Sequence, residues 1–208
     1  MDMTMNASFA QMVPQSRVRV YHRDEITADP TQTTTKTRTA NGLRAHEDIE
    51  RTMAEHADTV MRVCAIYLRE PADRDDAFQE TFLRYARYGR TFNGGEHRKA
   101  WLIRVASNIC KDQLKSAAAR TESLDAMGEE GFTPVGDDGE EGQRSLERSD
   151  VLRALRGIDE RYAIVLYLKF YEGYTAAQIG KLLGMPENTV YTNISRGKQQ
   201  LKGVLGHE

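Results

Sequence analysis

The sequence lacks the features of exported and membrane-spanning proteins. No apolar run approaches the roughly 20 residues that a membrane-spanning helix needs. The first residues do not show the basic start, apolar middle and small-residue cleavage site of a signal peptide. We therefore expect a cytoplasmic protein.

Cysteine is also scarce, which argues against a disulfide framework or a zinc site. The two cysteines, Cys64 and Cys110, each fall within an apolar stripe of a predicted helix and do not form a metal-ligand spacing. A cysteine in such a stripe usually behaves as a small apolar residue. We expect two buried free thiols and predict neither a bound metal nor a cofactor.

An excess of positive charge is missing as well. The formal net charge is -2 at pH 7, which at first argues against DNA binding because affinity for phosphate depends on lysine and arginine. The charges are segregated, however: residues 122–150 concentrate acids, whereas residues 98–120 and the C-terminal helices carry a basic excess. Local fields of this kind matter more than the sum.

Apolar periodicity predicts an all-α protein, since helical spacing recurs and no convincing strand appears. We expect two small helical domains joined by a flexible acidic linker. The first domain should contain helices over residues 47–68, 73–88 and 99–119, with a loop at 90–98. The predicted divisions are a disordered arm at 1–45, a helical domain at 46–120, the linker at 121–145 and a second helical domain at 146–208.

The C-terminal segment from Tyr174 to Leu201 has the pattern of a helix-turn-helix. An apolar first helix ends at Gly184, which suits a left-handed turn, and Pro186 suits the start of a second helix. The preceding helix, 159–172, offers an apolar platform for both. An ordinary helical hairpin with a solvated polar face is the alternative that the pattern alone leaves open.

The third predicted helix has one apolar face and one polar, largely basic face. Together with a loop that bears Phe92, Asn93 and His97, this basic face suits unpaired DNA, because aromatic rings and amides hold unstacked bases while cations hold phosphates. A solvated helix face is the alternative. Trp101 lies in the apolar stripe, and we expect it to pack in the core rather than contact a base.

The second predicted helix carries mixed charges that do not suit DNA. Its carboxylates are not accompanied by a histidine or a third carboxylate at ligand spacing, so no catalytic or metal site is predicted. A solvated face or a protein docking surface fits this helix better. Nothing in the chain resembles a phosphate loop, a catalytic triad or a metal cluster, and we do not expect an enzyme.

Three short runs in this order resemble the extracytoplasmic-function group of bacterial RNA polymerase sigma factors. The resemblance covers roughly residues 47–205 and leaves the N-terminal arm and the acidic linker unmatched. The runs are Asp76-x-x-Gln79-Glu80-Thr81-Phe82-Leu83-Arg84, then Trp101-Leu102-Ile103-Arg104-Val105-Ala106-x-Asn108, then Glu172-Gly173-Tyr174-Thr175-x-x-x-Ile179-Gly180 with Leu183-Gly184 and Thr189-Val190.

The resemblance implies a transcription initiation factor whose partners are core RNA polymerase and promoter DNA. The first domain would dock on the polymerase and open the minus-ten element, and the second would read the minus-thirty-five element. The implied core-polymerase contacts are Asp76, Gln79, Glu80 and Arg84. The implied minus-ten contacts are Asn93, His97, Arg98, Lys99, Arg104, Asn108, Lys111 and Lys115. The implied minus-thirty-five contacts are Glu187, Asn188, Thr189, Tyr191, Thr192, Ser195, Arg196, Lys198 and Gln199.

Two positions depart from the usual family pattern. Tyr191 and Asn193 stand where the family tends to have lysine or arginine, so fewer phosphate contacts are expected. An anti-sigma protein is a further partner that the family suggests. The main alternative is a stand-alone helix-turn-helix regulator, which would bind duplex DNA without polymerase.

Overall fold

The structure is a computed structural model, and it describes residues 43–124 and 150–205. By their contacts the residues divide into two compact units. Among the described residues, the N-terminal unit comprises 43–91 with 101–124, and the C-terminal unit comprises 92–100 with 150–205. The elements in chain order are α1 His46–Tyr67, α2 Pro71–Arg87, α3 Gly94–Leu124, α4 Asp150–Arg156, α5 Glu160–Leu166 extended by a π-helical turn Tyr167–Tyr171, α6 Ala176–Leu183 and α7 Glu187–Leu205.

The prediction of an all-α protein is confirmed, because no strand occurs within residues 43–124 and 150–205. α1 and α2 lie close to their predicted positions. Pro71 separates them as expected, but it begins α2 rather than only ending α1. Proline suits the first helical turn because that turn has no use for the missing backbone N–H. Most of the N-terminal arm and residues 125–145 of the predicted acidic linker lie outside the described residues, whereas linker residues 121–124 belong to α3.

The predicted start of the third helix was wrong. We expected a loop through Arg98 and a helix from Lys99, whereas α3 already begins at Gly94. Gly94 has φ 83°, a left-handed conformation that glycine adopts without a steric penalty. The chain therefore turns before and at this residue, and Gly95 continues as helix. α3 also continues to Leu124, past the predicted end at Ala119.

A buried polar cluster surrounds Arg44, just before α1. Arg44, placed by sequence in the disordered arm, is only 4% exposed. Its guanidinium donates to Asp48 Oδ2 at 3.0 Å and to the main-chain oxygens of Tyr85 and Arg90 at 3.2 and 2.6 Å. The Tyr85 hydroxyl donates to the same carboxylate at 2.8 Å and accepts from Thr52 at 2.9 Å. This cluster ties the start of α1 to the end of α2.

The apolar core of the N-terminal unit contains both cysteines. Cys64 on α1 and Cys110 on α3 are fully buried free thiols, as predicted. A hydrogen bond with Cys64 and burial raise the pKa of the Cys110 thiol, so it stays protonated. Neighbouring core positions are filled by Val60, Val63, Leu102 and Ala106.

The C-terminal unit is built around α5, which forms the predicted platform. Tyr162, Val165, Leu166 and Leu168 are all buried. The chain leaves this platform through the π-helical turn, in which the Glu172 N–H reaches Tyr167 O at 3.1 Å. The buried Glu172 carboxylate has two partners: the Tyr167 hydroxyl donates to Oε1 at 2.5 Å, and the ammonium of Lys99, a predicted minus-ten contact, pairs with Oε2.

α6 and α7 form the predicted helix-turn-helix. A reciprocal capping box starts α6, with Gln178 N donating to Thr175 Oγ1 at 3.2 Å and Thr175 N donating to Gln178 Oε1 at 2.8 Å. Gly184 ends α6 with φ 70°, as expected for a left-handed cap. A Cβ built on Gly180 would lie 2.7 Å from Met185 O. The backbone of the turn after α6 therefore passes directly beside Gly180.

Adding one methyl group at Gly180 is expected to destabilise the helix-turn-helix. Gly180→Ala should lower the free energy of unfolding by about 1–3 kcal/mol, because backbone rather than a flexible side chain blocks the new Cβ. Far-UV circular dichroism during urea unfolding measures this change.

Gly203→Ala is the matched control, since nothing lies within 4 Å of its Cβ position on α7. The better helix propensity of alanine should raise stability by up to about 1 kcal/mol. Equal effects of the two variants would contradict the packing described at Gly180.

Removing the buried carboxylate at Asp48 is expected to destabilise the N-terminal unit. Asp48→Ala leaves Arg44 buried without its counter-charge, which should cost about 3–5 kcal/mol. The fluorescence of Trp101, the single tryptophan, follows unfolding of this unit. Asp58→Ala is the control, because its ion pair with Arg62 is 3.5 Å long and its side chain is 63% exposed, so the cost should stay near or below about 0.5 kcal/mol. Similar losses in both variants would contradict a special role for the cluster.

Candidate nucleic-acid interfaces

The outward face of α7 carries nearly all of the residues that the sequence assigned to the minus-thirty-five element. Val190 and Leu201 are buried against the rest of the unit, which leaves the opposite side of the helix open. Such a polar face on a well-seated helix has the form of a recognition helix. The exposed members are Glu187, Asn188, Thr189, Tyr191, Thr192, Ser195, Arg196 and Gln199.

Lys198 and Asn193 are placed differently from the other polar residues of α7. Lys198 is half-buried, and its ammonium lies 5.2 Å from the centre of the Phe170 ring. This cation–π contact holds the charge against the platform. Asn193 is buried and its amide donates to Met185 Sδ at 3.8 Å. Asn193, which stands where the family tends to have lysine or arginine, is therefore part of the buried side of α7.

Hydrogen bonds within α7 orient two of its exposed side chains. The Tyr191 hydroxyl donates to Glu187 Oε1 at 3.3 Å. Thr192 donates its hydroxyl to Asn188 O at 3.0 Å, within its own helix. Both hydroxyl protons are thus hydrogen-bonded within α7, so neither is available to donate to a base.

The basic face of α3 is exposed as the sequence predicted. Arg104, Asn108 and Lys115 are exposed on the side opposite to the buried Leu102 and Ile109. Lys111, on the same helix, is half-buried. Burial and, to a smaller extent, Lys115 lower the pKa of Lys111. A nearby phosphate would favour the charged form of this lysine.

The segment before and within the first turn of α3 presents an aromatic and polar surface. Asn93 and His97 are exposed, and the Asn93 N–H donates to His97 Nδ1 at 3.1 Å. Phe92 packs edge-on against His97 with ring centroids 5.5 Å apart. Arg98 and Lys99 are half-buried. Of the predicted minus-ten contacts in this segment, only Asn93 precedes the helix. His97, Arg98 and Lys99 lie within α3.

Trp101 packs among aromatic residues, as expected. Its ring lies 4.6 Å from that of Tyr88 and 6.1 Å from that of Tyr85, the latter in an edge arrangement. Half-buried in this cluster, it contributes to the core of the N-terminal unit.

The exposed side of α2 combines polar residues with one apolar residue that the sequence reasoning missed. Asp76, Gln79 and Arg84 are exposed, and Arg84 pairs with the half-buried Glu80 at 2.7 Å. Leu83 stands among them with 49% exposure. The available signal was its spacing, because residues three and four apart share a helix face, and Leu83 follows Glu80 and Gln79 by these steps. Leu83 gives this otherwise polar face one apolar group.

The described residues show neither a metal-binding cluster nor a membrane-spanning helix. Residues 43–124 and 150–205 contain no cluster of three or more histidine, cysteine or carboxylate side chains that could hold a metal ion. In the same ranges, no helix is both long and apolar enough to cross a membrane.

Comparison with known proteins identifies the family of this chain. The model "Sigma-70 region 2" matches residues 52–120, and "Sigma-70, region 4" matches residues 148–201. The RNA polymerase sigma factor CarQ of Myxococcus xanthus is 30% identical over 164 residues, which span 78% of this chain and 91% of CarQ. The chain belongs to the sigma-70 family. It is a sigma factor of the extracytoplasmic-function group, to which SigW of Bacillus subtilis, 28% identical over 72% of this chain and 84% of SigW, also belongs.

Two solved structures share the fold of this one. The sigma factor RpoE of Bartonella quintana, crystallised with the anti-sigma factor NepR, superimposes with a TM-score of 0.59 at 16% identity over 77% of this chain and 98% of RpoE. CnrH, solved with the cytosolic domain of CnrY, gives a TM-score of 0.51 at 18% identity over 79% of this chain and 91% of CnrH. At these identities the likeness establishes the fold.

Membership of the family establishes what this sigma factor does. It is a transcription initiation factor that directs RNA polymerase to promoters. A stand-alone helix-turn-helix regulator is not favoured, because region 2 as well as region 4 is present.

The contrast between Arg196 and Lys198 predicts different effects on salt dependence. Arg196→Ala should reduce the slope of log affinity against log salt concentration by about 0.9, the loss of one phosphate contact on duplex DNA. Lys198→Ala should reduce it less, because the ammonium already lies against Phe170. Promoter binding by the reconstituted holoenzyme between low and physiological salt measures both slopes. Equal reductions would show that Lys198 leaves the ring to contact phosphate.

Proposed function

We propose that this sigma factor divides promoter recognition between its two domains, with each predicted surface contacting one partner. The domain at residues 46–120, extended at its start by Arg44, holds the core polymerase through α2 and the minus-ten element through the start and basic face of α3. The domain at 146–208 reads the minus-thirty-five element through α7. The acidic linker at 121–145 joins them.

One observation carries the minus-thirty-five assignment. The apolar side of α7 is fixed against the platform, and every predicted contact residue except Lys198 remains exposed on the other side. A helix that is rigidly seated and polar outward can enter a major groove, where amide, hydroxyl and guanidinium groups reach base edges and phosphates.

The minus-ten assignment is supported by chemistry at the start of α3. Phe92 and His97 supply aromatic surfaces, Asn93 supplies an amide, and Arg104 and Lys115 supply cations further along the helix. A base that leaves the stack gains about 1–3 kcal/mol from contact with an aromatic ring, which offsets part of the cost of unstacking. Binding energy of this kind helps the duplex open, and the protein itself performs no covalent step.

The core-polymerase assignment rests on the exposed side of α2. Gln79, Glu80 and Arg84 surround Leu83, so the surface has an apolar centre and a polar rim. Interfaces commonly have this arrangement. Asp76 extends the rim toward the N-terminal end of the helix.

The proposal also includes compartment and regulation. A factor that works with RNA polymerase acts in the bacterial cytoplasm. RpoE was solved with the anti-sigma factor NepR, and CnrH with the cytosolic domain of CnrY. An anti-sigma protein that covers the α2 surface would keep this sigma factor from the polymerase.

Run-off transcription tests the proposal. Purified core bacterial RNA polymerase is supplied with this protein and a library of genomic promoter fragments, including the fragment upstream of its own gene. Specific transcripts should appear only when the protein is added. A double variant, Gln79→Ala with Glu80→Lys, should reduce them at least about tenfold, because reversing a charge in an interface costs several kcal/mol.

Glu50→Lys is the matched charge-reversal control, since its side chain is 63% exposed on α1, away from the proposed surface. It should transcribe as the wild type does. Absence of specific transcripts, combined with tight duplex binding by the protein without polymerase, would instead support a stand-alone regulator.

A further inference from the structure

The most exposed large apolar residue in the described part of the chain lies on the recognition helix. Tyr191 is 57% exposed, more than Leu43, Leu83 or Val204. It shares its face of α7 with exposed Glu187, Asn188 and Ser195, which lie three or four residues away. A tyrosine in such a position exposes apolar surface to water in the free protein, so a partner that covers the ring would stabilise it.

The tyrosine is held in place by the first turn of the same helix. Its hydroxyl donates to Glu187 Oε1 at 3.3 Å, one helical turn before it. Long side chains in helices point toward the N-terminus, which brings residues four apart together. The hydroxyl proton is therefore already engaged, and the ring is the part of Tyr191 that remains for a partner.

The surroundings make a phosphate an unsuitable partner for Tyr191. The Glu187 carboxylate beside the hydroxyl repels a phosphate and competes for the only proton that the phenol can donate. Asn193, the other residue that replaces an expected cation, is buried against Met185. The Glu187 carboxylate therefore disfavours a phosphate at the Tyr191 hydroxyl, and the apolar ring is the surface that remains.

A ring at this place has one apolar counterpart on the base edges of a major groove. Among the four bases only thymine carries a methyl group there, at C5, and apolar side chains read it by contact. We propose that Tyr191 selects a thymine in the upstream promoter element by packing its ring against the C5 methyl group, and that Glu187 is the positioning residue that holds the ring. This inference rests on the proposed role of α7 in reading the minus-thirty-five element.

Substitution of thymine by deoxyuracil tests the contact, because uracil pairs identically and lacks only the methyl group. Promoters identified by run-off transcription are synthesised with each thymine of the upstream element replaced in turn. Dissociation constants are measured for the reconstituted holoenzyme. With the wild-type protein, one replacement should weaken binding about fourfold, which corresponds to burial of one methyl group at about 0.8 kcal/mol.

Three variants distinguish the ring contact from other roles of Tyr191. Tyr191→Phe keeps the ring but loses its hydrogen bond to Glu187, so it should keep part of the uracil penalty, to the same extent as Glu187→Ala. Tyr191→Ala should bind thymine and uracil promoters equally, because the ring is gone. Glu187→Ala should reduce the penalty, because the ring is no longer held.

Several results would overturn the proposal. They are promoter selection by the wild-type holoenzyme without a penalty at any thymine, and a full penalty retained by Tyr191→Ala. Complete loss of the penalty in Tyr191→Phe would assign the effect to the hydroxyl, and an unchanged penalty in Glu187→Ala would remove its positioning role. A holoenzyme that selects no promoter at all would refute the proposed function together with this inference, whereas promoter selection without a uracil effect refutes the inference alone.

Discussion

The contact between α5 and α7 at Gly197 determines which side of the recognition helix faces a partner. A Cβ at Gly197 would lie 3.0 Å from both Tyr162 Cβ and Leu166 Cδ1, so the two helices approach as closely as side chains allow. Val190 and Leu201 extend the same buried line along α7. Since one side of the helix is fixed by this packing, the other must be polar and open. The packing of α7 on α5 therefore determines which residues form the candidate DNA face.

The N-terminal unit depends on a polar cluster rather than on a close helix contact. Arg44, Asp48 and Tyr85 satisfy one another and two main-chain oxygens at the end of α2 and just beyond it. A buried charge is costly unless it is paired and hydrogen-bonded, and here each charged group has several partners. The cluster thereby fixes where the chain leaves α2, only a few residues before the aromatic segment that precedes α3. Its position links the fold of this unit to its proposed function.

Sequence periodicity was sufficient for the architecture because the helices are strongly amphipathic and their ends carry clear signals. Gly184, Pro186 and Pro71 marked helix boundaries through their own backbone preferences, and the platform before α6 was visible as an apolar stripe. The start of α3 was missed because Gly94 and Gly95 indicate a turn, whereas only Gly94 has the left-handed conformation and Gly95 is already helical. Arg44 was missed because its neighbours in sequence do not reveal partners about 40 residues away.

The candidate sites were predictable in their faces but less so in individual side chains. Lys198 has the outward helical spacing of a phosphate contact, and only the three-dimensional arrangement places Phe170 beneath its ammonium. Asn193 is polar, yet it lies close enough to the buried side of α7 to bond Met185. Leu83 was overlooked although its spacing from Gln79 and Glu80 places it on the same face of α2, because a single leucine among charged residues does not form an apolar stripe. These differences come from contacts between elements, which the local pattern does not contain.

The central claim is that α2 and α7 contact different partners in the working enzyme. Site-specific photocrosslinking tests it, with a photoreactive residue placed either at Gln79 or at Thr192, both of which are exposed. In the holoenzyme on a promoter, position 79 should crosslink to the largest polymerase subunit and not to DNA. Position 192 should crosslink to promoter DNA within the minus-thirty-five element. Crosslinks of position 192 to polymerase alone, or of position 79 to DNA, would contradict the account.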